Sequence, residues 1–102
     1  MERIRKALAS VTEDAYKYFA APGASFPYIV WGDDGAKNLK ANNGGGEKCA
    51  TGYIDLYTKR DSDPLAGKIE AALEKIPAAF QLISVEYEEE TGVIHHSWDW
   101  EL

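Results

Sequence analysis

The closing stretch from Phe80 to Leu102, FQLISVEYEEETGVIHHSWDWEL, constrains the fold more than any other part of the chain. Two runs that alternate apolar and polar side chains flank a glycine-containing turn, the pattern of a β-hairpin with one dry and one wet face. Suppose the turn is Glu89, Glu90, Thr91 and Gly92, with Gly92 in the left-handed conformation that glycine adopts without strain. Glu88 then faces Val93, Tyr87 faces Ile94, Val85 faces His96, Ile83 faces Trp98 and Gln81 faces Trp100. Nearly all the large apolar side chains share one side, and Glu88, Glu86, Ser84, His95, Ser97, Asp99 and Glu101 share the other. A turn shorter by one residue would slip the register and mix the two faces.

The rest of the chain supplies what such a hairpin packs against. Ile4, Leu8, Val11, Ala15 and Tyr18 or Phe19 recur at spacings of three and four, which predicts an amphipathic helix ended by Pro22 and Gly23. FPYIVWG reads as a strand from Tyr28 to Trp31 that is covered on both faces, since every position is apolar. Residues 32–47, polar and rich in glycine, read as a flexible loop. In CATGYIDLYTK, Ile54 and Leu56 point one way while Tyr53, Asp55 and Tyr57 point the other. Asp63 is placed to cap a helix that opens on Pro64. The stripe Leu65, Ile69, Ala72, Leu73 and Ile76 continues that helix until Pro77 ends it.

The expected order is therefore α-β-β-α-β-β. It predicts an α+β fold with both helices on one face of a mainly antiparallel sheet of about four strands. The 102 residues are enough for one core, so residues 1–102 read as a single domain.

Charge and composition narrow the function. Acidic residues outnumber basic ones 17 to 11, so the surface repels phosphate backbones and specific nucleic-acid binding is not expected. One cysteine, Cys49, makes no internal disulfide and points to synthesis in a reducing cytoplasm. Thr12, Glu13, Asp14 and Lys17 interrupt any export signal, and no window approaches a membrane span, so a soluble chain with no membrane partner is expected.

The residue types that resemble chemistry fall on geometry that does not serve it. His95 and Asp99 lie about 13 Å apart along one strand, and His95 and His96 point to opposite faces. With two histidines and one cysteine in the chain, no convergent metal-ligand set is expected. Ser97, His95 and Asp99 spell a triad, but alternate strand positions point side by side into solvent with no base-to-nucleophile geometry. NNGGGEKCAT lacks the spacing of a phosphate loop and lies between strands instead of before a helix. The run from Glu86 to Glu90 reads as a solvated edge and turn. No catalytic residue, metal or cofactor is assigned. Tyrosines standing among acids on an open sheet face suit a protein interface.

PYIVWGDDG, TGYIDLYTKRDSDPLAGKIEAAL and VEYEEETGVIHHSWDWEL together resemble small proteins of the head and tail assembly modules of long-tailed bacteriophages and prophages. The resemblance covers most of residues 26–102 and is nearest to the tail-terminator, or tail-completion, group. It implies a small α+β structural protein, not an enzyme, which assembles as a ring, typically a hexamer, at the end of the tail tube and joins it to the head. Its implied partners are further copies of itself and other tail or neck proteins, and its implied location is the virion. Trp31, Asp33, Asp34, Tyr53, Asp55 and Tyr57, with the loop from Asp33 to Glu47, are the candidate contact surface. Two competing readings fit the same residues: an acidic immunity or inhibitor module that masks a basic enzyme site, and a small enzyme that uses His95 or His96 with a carboxylate.

Overall fold

The structure, a computed structural model, describes residues 2–38 and 48–102. Two helices and five strands follow one another as α1 (Glu2–Ala9), β1 (Ala15–Lys17), β2 (Tyr28–Asn38), β3 (Lys48–Thr58), α2 (Pro64–Lys75), β4 (Ala79–Glu88) and β5 (Val93–Glu101). The strands form one mixed sheet in the order β1-β2-β3-β5-β4. β1 runs parallel to β2, and every other neighbouring pair is antiparallel. The fold is α+β with both helices on one face, as the alternation predicts.

That face is the core. Ile4 and Leu8 of α1 and Ile69 and Leu73 of α2 pack on Ile29, Trp31, Ile54, Leu56, Trp98 and Trp100. Each fully buried aliphatic side chain in such a layer contributes about 1.5–3 kcal/mol. Two of the three buried indoles are tied by their N–H: Trp98 donates to Glu70 of α2 at 2.9 Å and Trp100 to the Tyr53 carbonyl at 3.2 Å. α2 begins where the sequence places it. The Asp63 carboxylate accepts from the Leu65 amide at 2.9 Å and, through its other oxygen, from the Thr58 hydroxyl at 2.6 Å, with both residues buried.

Several expectations need correction. The first helix stops at Ala9 instead of continuing toward Phe19. β-branched Val11 and Thr12 weaken it there, and the Thr12 hydroxyl captures the Asp14 amide at 3.1 Å, turning the chain away. Ala15–Lys17 then joins β2, giving five strands where about four were expected. The strand expected to end at Trp31 runs on to Asn38 through a bulge between Asp33 and Ala36. Residues 32–38 are therefore paired strand, not loop, and the glycine-rich remainder of the expected loop, residues 39–47, lies outside the described residues. Past Leu102, which still exchanges two backbone hydrogen bonds of 2.9 Å with Ala50, the pairs Lys37–Cys49 and Asn38–Lys48 continue as a two-stranded arm.

The hairpin keeps its expected turn, with Gly92 at φ +74°. Its register is as expected from Glu88–Val93 to Val85–His96, but a bulge between Leu82 and Ser84 sets Leu82 opposite Trp98 and Phe80 opposite Trp100. Ile83 is the extra residue. It lets Phe80 and Leu82 share a face with Val85 and Tyr87, which strict alternation forbids.

Candidate functional site

The sheet's second face carries no helix. Register places Tyr28 of β2, Tyr57 of β3, His95 of β5 and Glu86 of β4 in one transverse row on it. The rings stack along the row, with Tyr28 and Tyr57 centroids 5.2 Å apart and Tyr57 and His95 centroids 4.4 Å apart. Phe26 extends the stack, 5.3 Å from Tyr28, and Tyr16 of β1 meets Tyr28 edge-on at 6.4 Å. An open cleft of about 850 Å³ lies at this end of the sheet, lined by Phe26, Tyr28, Tyr57, His95, Glu86, Tyr87 and Glu88. Lys59 also lines it, its ammonium 5.0 Å from the Phe26 ring centre.

The next row holds Asp55 between Val30 and Ser97. Asp55 Oδ1 accepts the Ser97 hydroxyl at 2.7 Å, and His95 Nε2 stands 3.0 Å from the same oxygen, close enough for an ion pair with a protonated imidazole although it makes no aligned hydrogen bond. In a hydrolytic triad the serine gives its proton to the imidazole. Here the serine proton goes to the carboxylate, so the cluster ties β3 to β5 and leaves the hydroxyl unactivated. Burial, and then the Asp55 charge, push the Tyr57 hydroxyl above the usual tyrosine range. His96 points to the core face beside Trp98, with ring centroids 5.8 Å apart, and burial lowers its pKa below the usual histidine value.

At the far end of the same face, Tyr53 stands over Gly32 with Tyr18, and a Cβ on Gly32 would lie 2.7 Å from each of those two rings' outer atoms. Tyr18 takes φ +70°, a conformation uncommon outside glycine. Its amide donates to the Trp31 carbonyl at 2.8 Å and its hydroxyl to Asp33 at 2.6 Å. That hydrogen bond, chiefly, holds the Asp33 carboxyl below its usual range. Asp34 accepts the Thr51 hydroxyl at 2.6 Å.

The candidate contact residues thus divide. Tyr53, Asp55 and Tyr57 share the open face, with Asp33 and Asp34 at one end of it. Trp31 is 2 % exposed and belongs to the core, because β2 alternates and Ile29 and Trp31 point toward the helices while Tyr28 and Val30 point away. Tyr28, an alternative to Trp31 for the open face in the sequence, stands on it, and Phe26 and His95, which were not among the expected contact residues, complete the aromatic row. Register between β2 and β3 brings Tyr28 to Tyr57 and register between β3 and β5 brings His95, pairings that no local pattern reveals.

Among the described residues no three His, Cys, Asp or Glu side chains converge as a metal-ligand set, and no helix is long and apolar enough to cross a membrane. No protein-family model matches the chain, and comparison with curated proteins returns no match.

Proposed function

We propose that this chain is a non-enzymatic structural protein of the tail-terminator type, which self-associates into a ring at the end of a phage or prophage tail. One observation carries the reading. β4 is an edge strand, and although Glu86 and Glu88 put charge at one end of it, Leu82, Ile83, Val85 and Tyr87 on it are 43 to 63 % exposed. Isolated proteins blunt their sheet edges with charge or cover them, because an apolar edge invites another chain. Such an edge beside an uncovered aromatic face suits a protein that spends its working life against neighbours. The resemblance of residues 26–102 to tail-assembly proteins gives those neighbours an identity: copies of the chain, with tail or neck proteins above and below. The acidic balance of the sequence would let DNA pass a ring without adhering to it. Synthesis in the bacterial cytoplasm and delivery to the virion follow from the same reading.

The test is the solution mass by light scattering across a wide concentration range. A discrete species of ring size, a hexamer in the simplest case, is the expected result. A strict monomer that binds a basic enzyme tightly would overturn it in favour of the acidic inhibitor reading, which Asp55, Glu86, Asp99 and Glu101 on the open face also favour.

A further inference from the structure

The first turns of α1 and the aromatic cleft differ in charge: the cleft holds Glu86 and Glu88 against Lys59. The first turns of α1 expose Arg3, Arg5 and Lys6 against the single acid Glu2. Arg3 donates to the Ile76 carbonyl at 2.7 Å, which fixes this basic turn at the end of the sheet where β4 begins. The aromatic cleft with Glu86 and Glu88 lies at the other end of β4, about 30 Å away at roughly 3.3 Å per residue.

We propose that the cleft receives the basic first turn of α1 from a second copy of the chain, so that copies meet head to tail. This rests on the self-association proposed above and names the surfaces that carry it. Tyrosines beside carboxylates are the environment an arginine selects: the guanidinium lies on an aromatic face while its fork reaches a carboxylate. The cleft already shows this behaviour with a cation of its own, since Lys59 sits over Phe26. Its volume of about 850 Å³ is ample for more than one long side chain. On the donor side, Arg5 pairs with Glu2 in a contact where both side chains are more than half exposed. Such a surface pair is weak and exchanges readily for a better-shielded partner. Because the two surfaces differ, the contact is heterologous, and a heterologous contact closes into a ring when the rotation per copy divides a full turn.

Two variants and the unaltered chain test this by light scattering. In the first variant, Glu86→Gln is combined with Glu88→Gln; glutamine keeps an oxygen for the Thr91 hydroxyl, which Glu88 accepts at 2.6 Å. In the second, Arg3→Ala is combined with Arg5→Ala. All four positions are exposed, and unchanged circular dichroism and unfolding midpoint check that each variant folds. The unaltered chain is expected to assemble and to disperse at 0.5 M salt or about that, where charge contacts are screened. Each variant alone should associate at least tenfold more weakly, and a one-to-one mixture should give a dimer, since one intact cleft then meets one intact basic turn. Assembly unaffected by either variant would overturn the cleft contact and leave the ring reading standing on another surface. A mixture that stays monomeric would overturn the head-to-tail pairing. An unaltered chain that is monomeric throughout would overturn both.

Discussion

The indole of Trp100 lies across Gly52, its partner in register on β3, and occupies the space a side chain there would need. A Cβ on Gly52 would collide with that ring and also with the carbonyl oxygen of Gly32 on β2. The second obstacle is backbone, which cannot rotate away. Gly52→Ala is therefore expected to cost about 3 kcal/mol, the upper part of the usual range for overpacking a core. Urea unfolding of the variant measures it, and a loss near zero would mean that β2 and β3 slide apart at this point.

A second relationship joins the end of β3 to the start of α2. Asp63 uses one carboxylate oxygen for the Leu65 amide and the other for the Thr58 hydroxyl, in a site where both side chains are buried. Removing it leaves the Leu65 amide and the buried Thr58 hydroxyl proton without these acceptors, although the Thr58 oxygen still accepts from the Arg60 amide at 3.1 Å. Asp63→Ala should lower stability by about 2 kcal/mol. Asp63→Asn should lose less, because the amide oxygen still caps the helix and its NH2 can donate to Thr58. Equal losses in the two variants would show that charge, not hydrogen bonding, is what the position supplies.

These contacts also show why parts of the fold are legible in sequence and others are not. Asp63 with Pro64, and Gly92 in its turn, act through their own backbone, so a local reading finds them. Ile54 and Leu56 alternate with Tyr53, Asp55 and Tyr57 along one strand, which is local too. β1 is different: Ala15 and Tyr18 continue the helical spacing of Ile4 and Leu8, and only pairing with β2 makes a strand of Ala15–Lys17. Trp31 sits in a run that is apolar at every position, so nothing local decides which face it takes. Residues 32–38 are as polar as a loop and are strand because β3 lies beside them. The aromatic row and the Asp55–His95 pair depend on β5 lying between β3 and β4, an order that α2 creates by carrying the chain across.

His96 gives the stability a pH dependence of definite sign. Burial lowers its pKa in the folded state, whereas in the unfolded chain it titrates near the usual value of about 6.5. On acidification the unfolded state therefore binds the proton first. The stability associated with neutral His96 is complete above about pH 6.5, declines as pH falls through that value, and levels off once the folded-state pKa is passed. The Asp33 carboxyl, held low chiefly by the Tyr18 hydroxyl, contributes stability that is lost only in a lower window, as pH falls from the usual carboxylate value through its depressed one. Unfolding midpoints of the unaltered chain should fall between pH 7 and 5, and His96→Phe should flatten that slope while leaving the more acidic loss in place. An unchanged slope in His96→Phe would assign the effect to another group.

If the chain self-associates as proposed, Tyr53 and Tyr57 are expected to bear on assembly more than on folding. Both stand on the uncovered face with most of their surface withdrawn, Tyr57 stacked between Tyr28 and His95 and Tyr53 over Gly32. Replacing Tyr57 forfeits two ring contacts, each worth about 0.5–1.5 kcal/mol, but opens no cavity in the helix-covered core. The double variant Tyr53→Ser, Tyr57→Ser is thus expected to keep its circular dichroism spectrum and unfold cooperatively at a lower midpoint. Its self-association, followed by sedimentation velocity, should weaken, because aromatic anchors carry a disproportionate share of interface energy. An assembly mass identical to that of the unaltered chain would count against the open face as contact surface and shift attention to the apolar edge of β4.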